Sequence, residues 1–354
     1  MHSNPPLDAL PTARTAGSVA LPLLVTGIAG VPGYNALDYF RQRFPGQVIG
    51  IRQRDNWKLV GPDIVACSAE DRDELARLFD KHQFRSVLDA AGNCALRACE
   101  LDRDRAFRIN VDGVRNLLEV VRTREVRLVH LSSDLVYSGD RTPEQGAGRG
   151  YVETDPVDPV TVYGQTMVAS EQLVEEFVPS ACSLRISLPM GVSFSGHAGA
   201  IDWIQSRFKK FRPATLYYDE FRTPTYTDCL NALYETLLSN RLAGLFHGGA
   251  PRRTSLYEIG QVVNRVGGYS PENLMGCMRV QAGPIPPRAG DVCMDSSKLV
   301  QALGFQPFTP WPYDEQFVPT HHDWHHERSA GWRGSPALLE EILYRNPLLR
   351  LRSA

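Results

Sequence analysis

The chain has 354 residues, 43% of them apolar and 22% charged, with a net charge of −2 at neutral pH. That is enough to bury the core of one large α/β domain, or of a main domain with a smaller lobe. The lack of a basic excess argues against nucleic acid and anionic membrane as partners, and no apolar run approaches the ~20 residues of a membrane span.

Residues 1–19 carry Pro5, Pro6 and Pro11 without a basic-then-apolar order, and are expected to form a disordered arm rather than a signal peptide. Leu23-Leu24-Val25 then reads as a short buried strand. It runs straight into Thr26-Gly27-Ile28-Ala29-Gly30-Val31-Pro32-Gly33, with its glycines at Gly-x-x-Gly-x-x-Gly spacing, and a helix follows from about Tyr34 to Phe44. A strand that turns sharply into a helix aims free N–H groups at whatever lies over the turn. Glycines there let a pyrophosphate approach the backbone and let the helix pack on the strand. The segment therefore predicts a dinucleotide site.

Strands are expected at Gln47 to Ile51, Asp63 to Cys67, Ser86 to Ala90 and Val126 to Leu131, with a sixth at Leu184-Arg185-Ile186-Ser187. Helices fall between them, one at about Asp71 to Lys81 and another with apolar positions at Ala106, Ile109, Val114, Leu117, Leu118 and Val121. Such alternation predicts an α/β fold, a doubly wound parallel sheet of the Rossmann type with a smaller C-terminal lobe. The dinucleotide-binding part is expected over 20–185 and 225–250. A substrate lobe would follow from 186–224 and 251–310, with a C-terminal extension at 311–354. Seven cysteines, odd in number and free of Cys-x-x-Cys spacing, predict reduced thiols in a cytoplasmic protein.

Ser132-Ser133-Asp134 ends a central strand, at the sheet edge where ligands bind in open α/β folds. Tyr163 lies near the start of a later helix, after Asp158-Pro159. With Ala90-Ala91-Gly92 after the fourth strand, Asn110, Arg222-Thr223-Pro224-Thr225-Tyr226 and Arg288-Ala289-Gly290-Asp291-Val292, this order resembles the extended short-chain dehydrogenases/reductases. The match is nearest to the dTDP-4-dehydrorhamnose reductase branch, over roughly residues 21 to 310. The resemblance implies Ser133 and Tyr163 as catalytic residues. It implies a cofactor site of Thr26, Gly27, Ile28, Ala29, Gly30, Gly33, Ala90, Ala91, Gly92, Asn110 and Tyr163. On the substrate side it implies Arg288 against a nucleotide diphosphate, joined by Ser133, Arg185 and Arg222. Arg185 and Arg222 read equally well as internal ion-pair residues.

Two features depart from the family pattern. Where such enzymes place a lysine four residues after the tyrosine, this chain has Met167, which supplies neither charge nor donor. The end of the second strand reads Arg52-Gln53-Arg54 instead of an early acid, which favours NADP over NAD because a guanidinium suits a 2′-phosphate. The expected function is NADP-dependent reduction of a keto group on a nucleotide-linked deoxysugar. Epimerase or dehydratase chemistry is an alternative. So is a non-catalytic NADP-binding regulatory subunit, as in the β-subunit of methionine adenosyltransferase, which the chain also resembles. A homo-oligomer is compatible with the sequence. His321-His322-Asp323-Trp324-His325-His326-Glu327 would put His322 and His326 on one helix face, but without a third ligand no metal site is assigned. Leu338, Leu339, Ile342 and Leu343 predict a final amphipathic helix docked on the body or on a partner.

Overall fold

The computed structural model describes residues 17–142, 144, 146–328 and 331–350. Most of the expected N-terminal arm lies outside these residues, although Val19 is already buried in the core. Seven strands form the central sheet: β1 Leu23–Val25, β2 Val48–Arg52, β3 Ile64–Ala66, β4 Ser86–Asp89, β5 Arg127–Ser133, β6 Cys182–Ile186 and β7 Gly244–Gly248. Their order is β7-β6-β5-β4-β1-β2-β3, and each neighbouring pair is parallel. The order reverses between β1 and β4, which opens a crevice beyond their carboxyl ends.

The inner strands β1, β4, β5 and β6 bury both faces, as a parallel sheet covered on two sides requires, whereas the edge strand β3 is half-exposed. Leu23 and Val25 of β1 belong to one core cluster, while Leu24 points to the other. Helices α1 Val31–Arg43, α2 Arg72–His82, α3 Gly113–Val121, α4 Val162–Phe177, α5 Ala200–Lys209, α6 Thr227–Ser239 and α7 Leu256–Val266 accompany it. Several are fixed by local chemistry. Asp71 accepts from the Glu74 N–H at the start of α2, Thr161 accepts from the Gly164 N–H at the start of α4, and Ser255 with Glu258 makes a capping box on α7.

Three further two-stranded sheets lie outside the main one. The C-terminal segment ties α5 and α6 together. Trp311 is fully buried and donates its indole N–H to Leu343 O. Tyr344 donates to Asp202 on α5, and the Asn346 N–H donates to Asp228 on α6. Leu339 and Leu343 are fully buried in the main core, so the predicted apolar stripe docks on the chain's own body. It does so as one α-turn, Pro336–Leu339, that widens into a π-turn, Glu340–Tyr344. The histidine cluster departs from expectation: it forms a short 3-10 turn, Trp324–His326, and not an α-helix. His322 pairs with Asp323 and with the Tyr218 hydroxyl, whereas His325 is buried beside Gln261. Among the described residues no group of three or more His, Cys, Asp or Glu side chains could hold a metal ion.

Candidate active site

The turn from β1 into α1 is built around two glycines that admit no side chain. Gly27 has φ of +63°, and a Cβ there would lie 2.0 Å from Ala90 O; a Cβ on Gly33 would lie 2.4 Å from Gly27 O. Gly30 differs, because its nearest neighbour would be 3.6 Å away. The protein itself does not forbid a methyl at Gly30. Its bareness leaves a cradle at the helix N-cap, where no side chain caps the free N–H groups. Thr26 is 2% exposed and donates to Asp89 at 2.6 Å while accepting from the Ala90 N–H at 3.0 Å. It therefore ties the glycine turn to the end of β4. Ile28 is fully buried in the core, and Ala29 packs against it.

Gly30, Val31 and Pro32 open onto a cleft of about 420 Å³, which Ala90, Ala91 and Gly92 also line. Asn110 is fully buried behind that wall. Its side chain accepts from the Asn93 N–H at 2.7 Å and donates to Thr166 at 2.9 Å. It thus clamps the loop after β4 onto α4, one residue before Met167. The chain around it forms a π-turn, Arg108–Asp112, a widening found often beside functional sites.

Ser133 from the end of β5 and Tyr163 from the first turn of α4 line the same cleft, with Met167 one turn further along α4. Burial pushes the Tyr163 phenol well above its ordinary value, with Cys94 and Asp134 adding to the rise and hydrogen bonding to Ser133 opposing it. No ammonium offsets the burial, because the residue on that face is Met167, which is 3% exposed. The phenol is therefore a proton donor that resists becoming a base.

At the far end lie Arg222 and Arg288. Arg288 is a quarter exposed, stacks over the Tyr217 ring at 4.6 Å and approaches Glu220 at 3.8 Å. Arg222 is buried, donating to Glu220 at 2.7 Å and facing Asp134 at 3.7 Å. Arg185, in contrast, does not reach the cleft. It is 3% exposed and holds Glu171 through two hydrogen bonds of 2.8 and 2.7 Å, with a third to Tyr137 at 2.6 Å. Its assignment to the substrate is corrected to an internal ion pair. Arg52 stands apart from the cleft walls at the end of β2. Its guanidinium donates to the Gln53 and Arg54 carbonyls, and its Nε is buried without a partner. Arg54 is bound to Glu74 at 2.8 Å.

Sequence reasoning missed Asp134 and Glu220 as members of the site, together with Cys94, Tyr217, His197 and Trp203, all of which line the cleft. Asp134 accepts from Ser187 at 2.7 Å and from Ser133 at 3.3 Å. Its adjacency to Ser133 was the one available signal.

The chain is 26% identical to the dTDP-4-keto-6-deoxy-D-glucose reductase of Streptomyces niveus, over 75% of its own length and 86% of that protein. It is 22% identical to methionine adenosyltransferase 2 subunit beta of Danio rerio, over 67% and 71% of the two chains. The crystal structure of dTDP-4-dehydrorhamnose reductase from Bacillus anthracis in complex with NADP superposes with a TM-score of 0.66 at 20% identity, covering 82% of this chain and 95% of that one. Residues 40–316 match the model of the RmlD substrate binding domain. A match over most of the chain, on a fold that sets Ser133 and Tyr163 beside a glycine turn, makes the protein a member of the RmlD substrate binding domain family.

Proposed function

We propose that the chain is an NADP-dependent reductase acting on a keto group of a nucleotide-linked deoxysugar. One observation carries the reading: a single cleft joins the glycine turn, the Ser133/Tyr163 pair and Arg288. Gly30 and the free N–H groups of α1 fit a pyrophosphate, Ala90 to Gly92 form the adjoining wall, and Arg52 suits a 2′-phosphate. The cofactor supplies a hydride for the carbonyl carbon. Ser133 donates a hydrogen bond to the carbonyl oxygen and polarises it, Tyr163 gives the proton, and Arg288 holds the diphosphate with its planar fork. The names of the relatives, one a sugar-nucleotide reductase and one a reductase solved with NADP, support the same assignment. In this reading the cofactor domain spans 20–185 and 225–250, and the protein works in the cytoplasm.

Thermal stabilisation by NADPH, followed by turnover of a panel of 4-keto nucleotide sugars, tests it. NADPH should raise Tm, one panel member should oxidise it, and Tyr163→Phe should abolish that activity. Unchanged turnover in Tyr163→Phe would mean the proton comes from elsewhere. Met167 favours a second reading, a cofactor-binding regulatory subunit without turnover, in line with the similarity to methionine adenosyltransferase 2 subunit beta. Stabilisation by NADPH with no turnover across the panel would select it.

A further inference from the structure

We propose that Asp134 and Glu220 together take up a proton when the diphosphate of a nucleotide sugar engages Arg288. The inference rests on the reading of the cleft as a nucleotide-sugar site and concerns how that ligand is received. Both acids are buried, at 4% and 1% exposure, as is Arg222 at 4%. Arg222 lies between them, with Nη2 2.7 Å from Glu220 Oε1 and Nε 3.7 Å from Asp134 Oδ2. The second Glu220 oxygen has no hydrogen-bond donor and relies on Arg288 at 3.8 Å. Two carboxylates are thus balanced by two guanidiniums, only one of which is buried with them.

Arg288 is the accessible member and the one a phosphate would claim. Once it turns to an anionic ligand, two buried carboxylates share one guanidinium, with new negative charge beside them. An unpaired buried carboxylate is strongly disfavoured, and taking a proton relieves it. The two acids then titrate as a coupled pair. Burial already raises both carboxyls, against the lowering effect of Arg222 on each and of Arg288 on Glu220. The other groups facing the pair do not cancel the change. Arg279 is committed to Asp219 and Asp140, and the Tyr163 phenol stays neutral because its own pKa is raised.

The proton arrives where reduction consumes one. Asp134 Oδ1 is 3.3 Å from Ser133 Oγ, and Ser133 and Tyr163 line the same cleft. When Tyr163 protonates the alkoxide formed by hydride addition, Ser133 returns a proton to the tyrosinate and Asp134 returns one to Ser133. The cofactor would supply the hydride for the new C–H bond, and the proton of the new O–H bond is in effect the one loaded on binding, which leaves Asp134 as a carboxylate again. Asp134 thereby supports the tyrosine in a chain that has Met167 where an ammonium would otherwise stand.

The test is titration calorimetry of the full chain with dTDP-glucose and UDP-glucose, whose diphosphate diesters carry no proton near neutral pH. Running it in two buffers of different ionisation heat counts protons. The wild type should show net uptake, and Kd should rise with pH by up to about tenfold per unit for one full proton. Glu220→Gln and Asp134→Asn each leave one carboxylate with Arg222, so each should still bind but lose the uptake and the pH dependence. Binding with the same enthalpy in both buffers overturns the inference while leaving the nucleotide-sugar reading intact, as does uptake that persists in both variants. Absence of binding by either sugar overturns that reading and the inference with it.

Discussion

Replacing Met167 with lysine should restore an ammonium to the face of α4 beside Tyr163. Met167 lines the cleft and its methyl lies 4.0 Å from where a Cβ on Gly92 would sit, so a lysine there reaches the same wall. Burial holds the Tyr163 phenol above its ordinary value with only Ser133 to ease it. A cation within reach lowers such a pKa by roughly 1–3 units, or about 1.4–4 kcal/mol of tyrosinate stabilisation. General acid–base assistance as a whole is worth roughly 10²–10⁴-fold, so turnover at neutral pH should rise at least about tenfold. The gain has a cost, because Met167 packs with Val136, Tyr137 and Tyr151. Charging that floor should destabilise the fold by about 1–3 kcal/mol. Steady-state NADPH oxidation with a 4-keto nucleotide sugar across neutral to alkaline pH, run beside melting curves, measures both. A folded Met167→Lys protein with an unchanged rate and an unchanged pH profile would refute the electrostatic account of this site.

Arg52→Glu should weaken stabilisation by NADPH far more than by NADH, read as the difference in Tm shifts; equal losses would remove Arg52 from the 2′-phosphate. Leu343→Ala should cost about 2–5 kcal/mol in urea unfolding, because the side chain is fully buried against the body; a cost near zero would make the tail a passive appendage. The pH dependence of stability has a defined sign at His247, which is fully buried with its pKa lowered to about 4 by burial and by Arg185. Its neutral ring lies 3.0 Å from Tyr151 O through Nδ1 and 3.1 Å from the Tyr137 hydroxyl through Nε2. The folded state therefore binds fewer protons than the unfolded one. This contribution, on the order of 3 kcal/mol, is complete above about pH 6.5 and is lost as pH falls toward 4. Urea midpoints should drop over that window, and less so in His247→Asn.

The sheet was legible because its signals are local. Short apolar runs bounded by turns give parallel strands, and glycine spacing gives the first crossover. Ser133 was legible because the strand carrying it ends at the edge where ligands bind. Arg185 was not, since its position at a strand end says nothing of Glu171 approaching from α4 to claim it. Glu220 carries no pattern of its own, and its meaning comes from Arg222 and Arg288, which only tertiary folding brings near. The histidine segment failed as a helix for a traceable reason. The carbonyls of His321 and His322 accept from the Gln261 side chain, and the backbone closes i→i+3 bonds there, Trp324 N–H to His321 O and His326 N–H to Asp323 O, which is the ladder of a short 3-10 turn.

The C-terminal strap has a mechanical consequence. Tyr344 fastens it to α5, and Asn346 fastens it to α6. Tyr226 donates to Ile342 O just before those points, and Trp311 locks the strap to itself. A hinge that opened the crevice would have to shear these bonds and draw Leu339 and Leu343 out of the core. A ligand received in this cleft should therefore be accommodated by side-chain rearrangement and not by domain closure. Small-angle scattering should record nearly the same radius of gyration with and without saturating ligand.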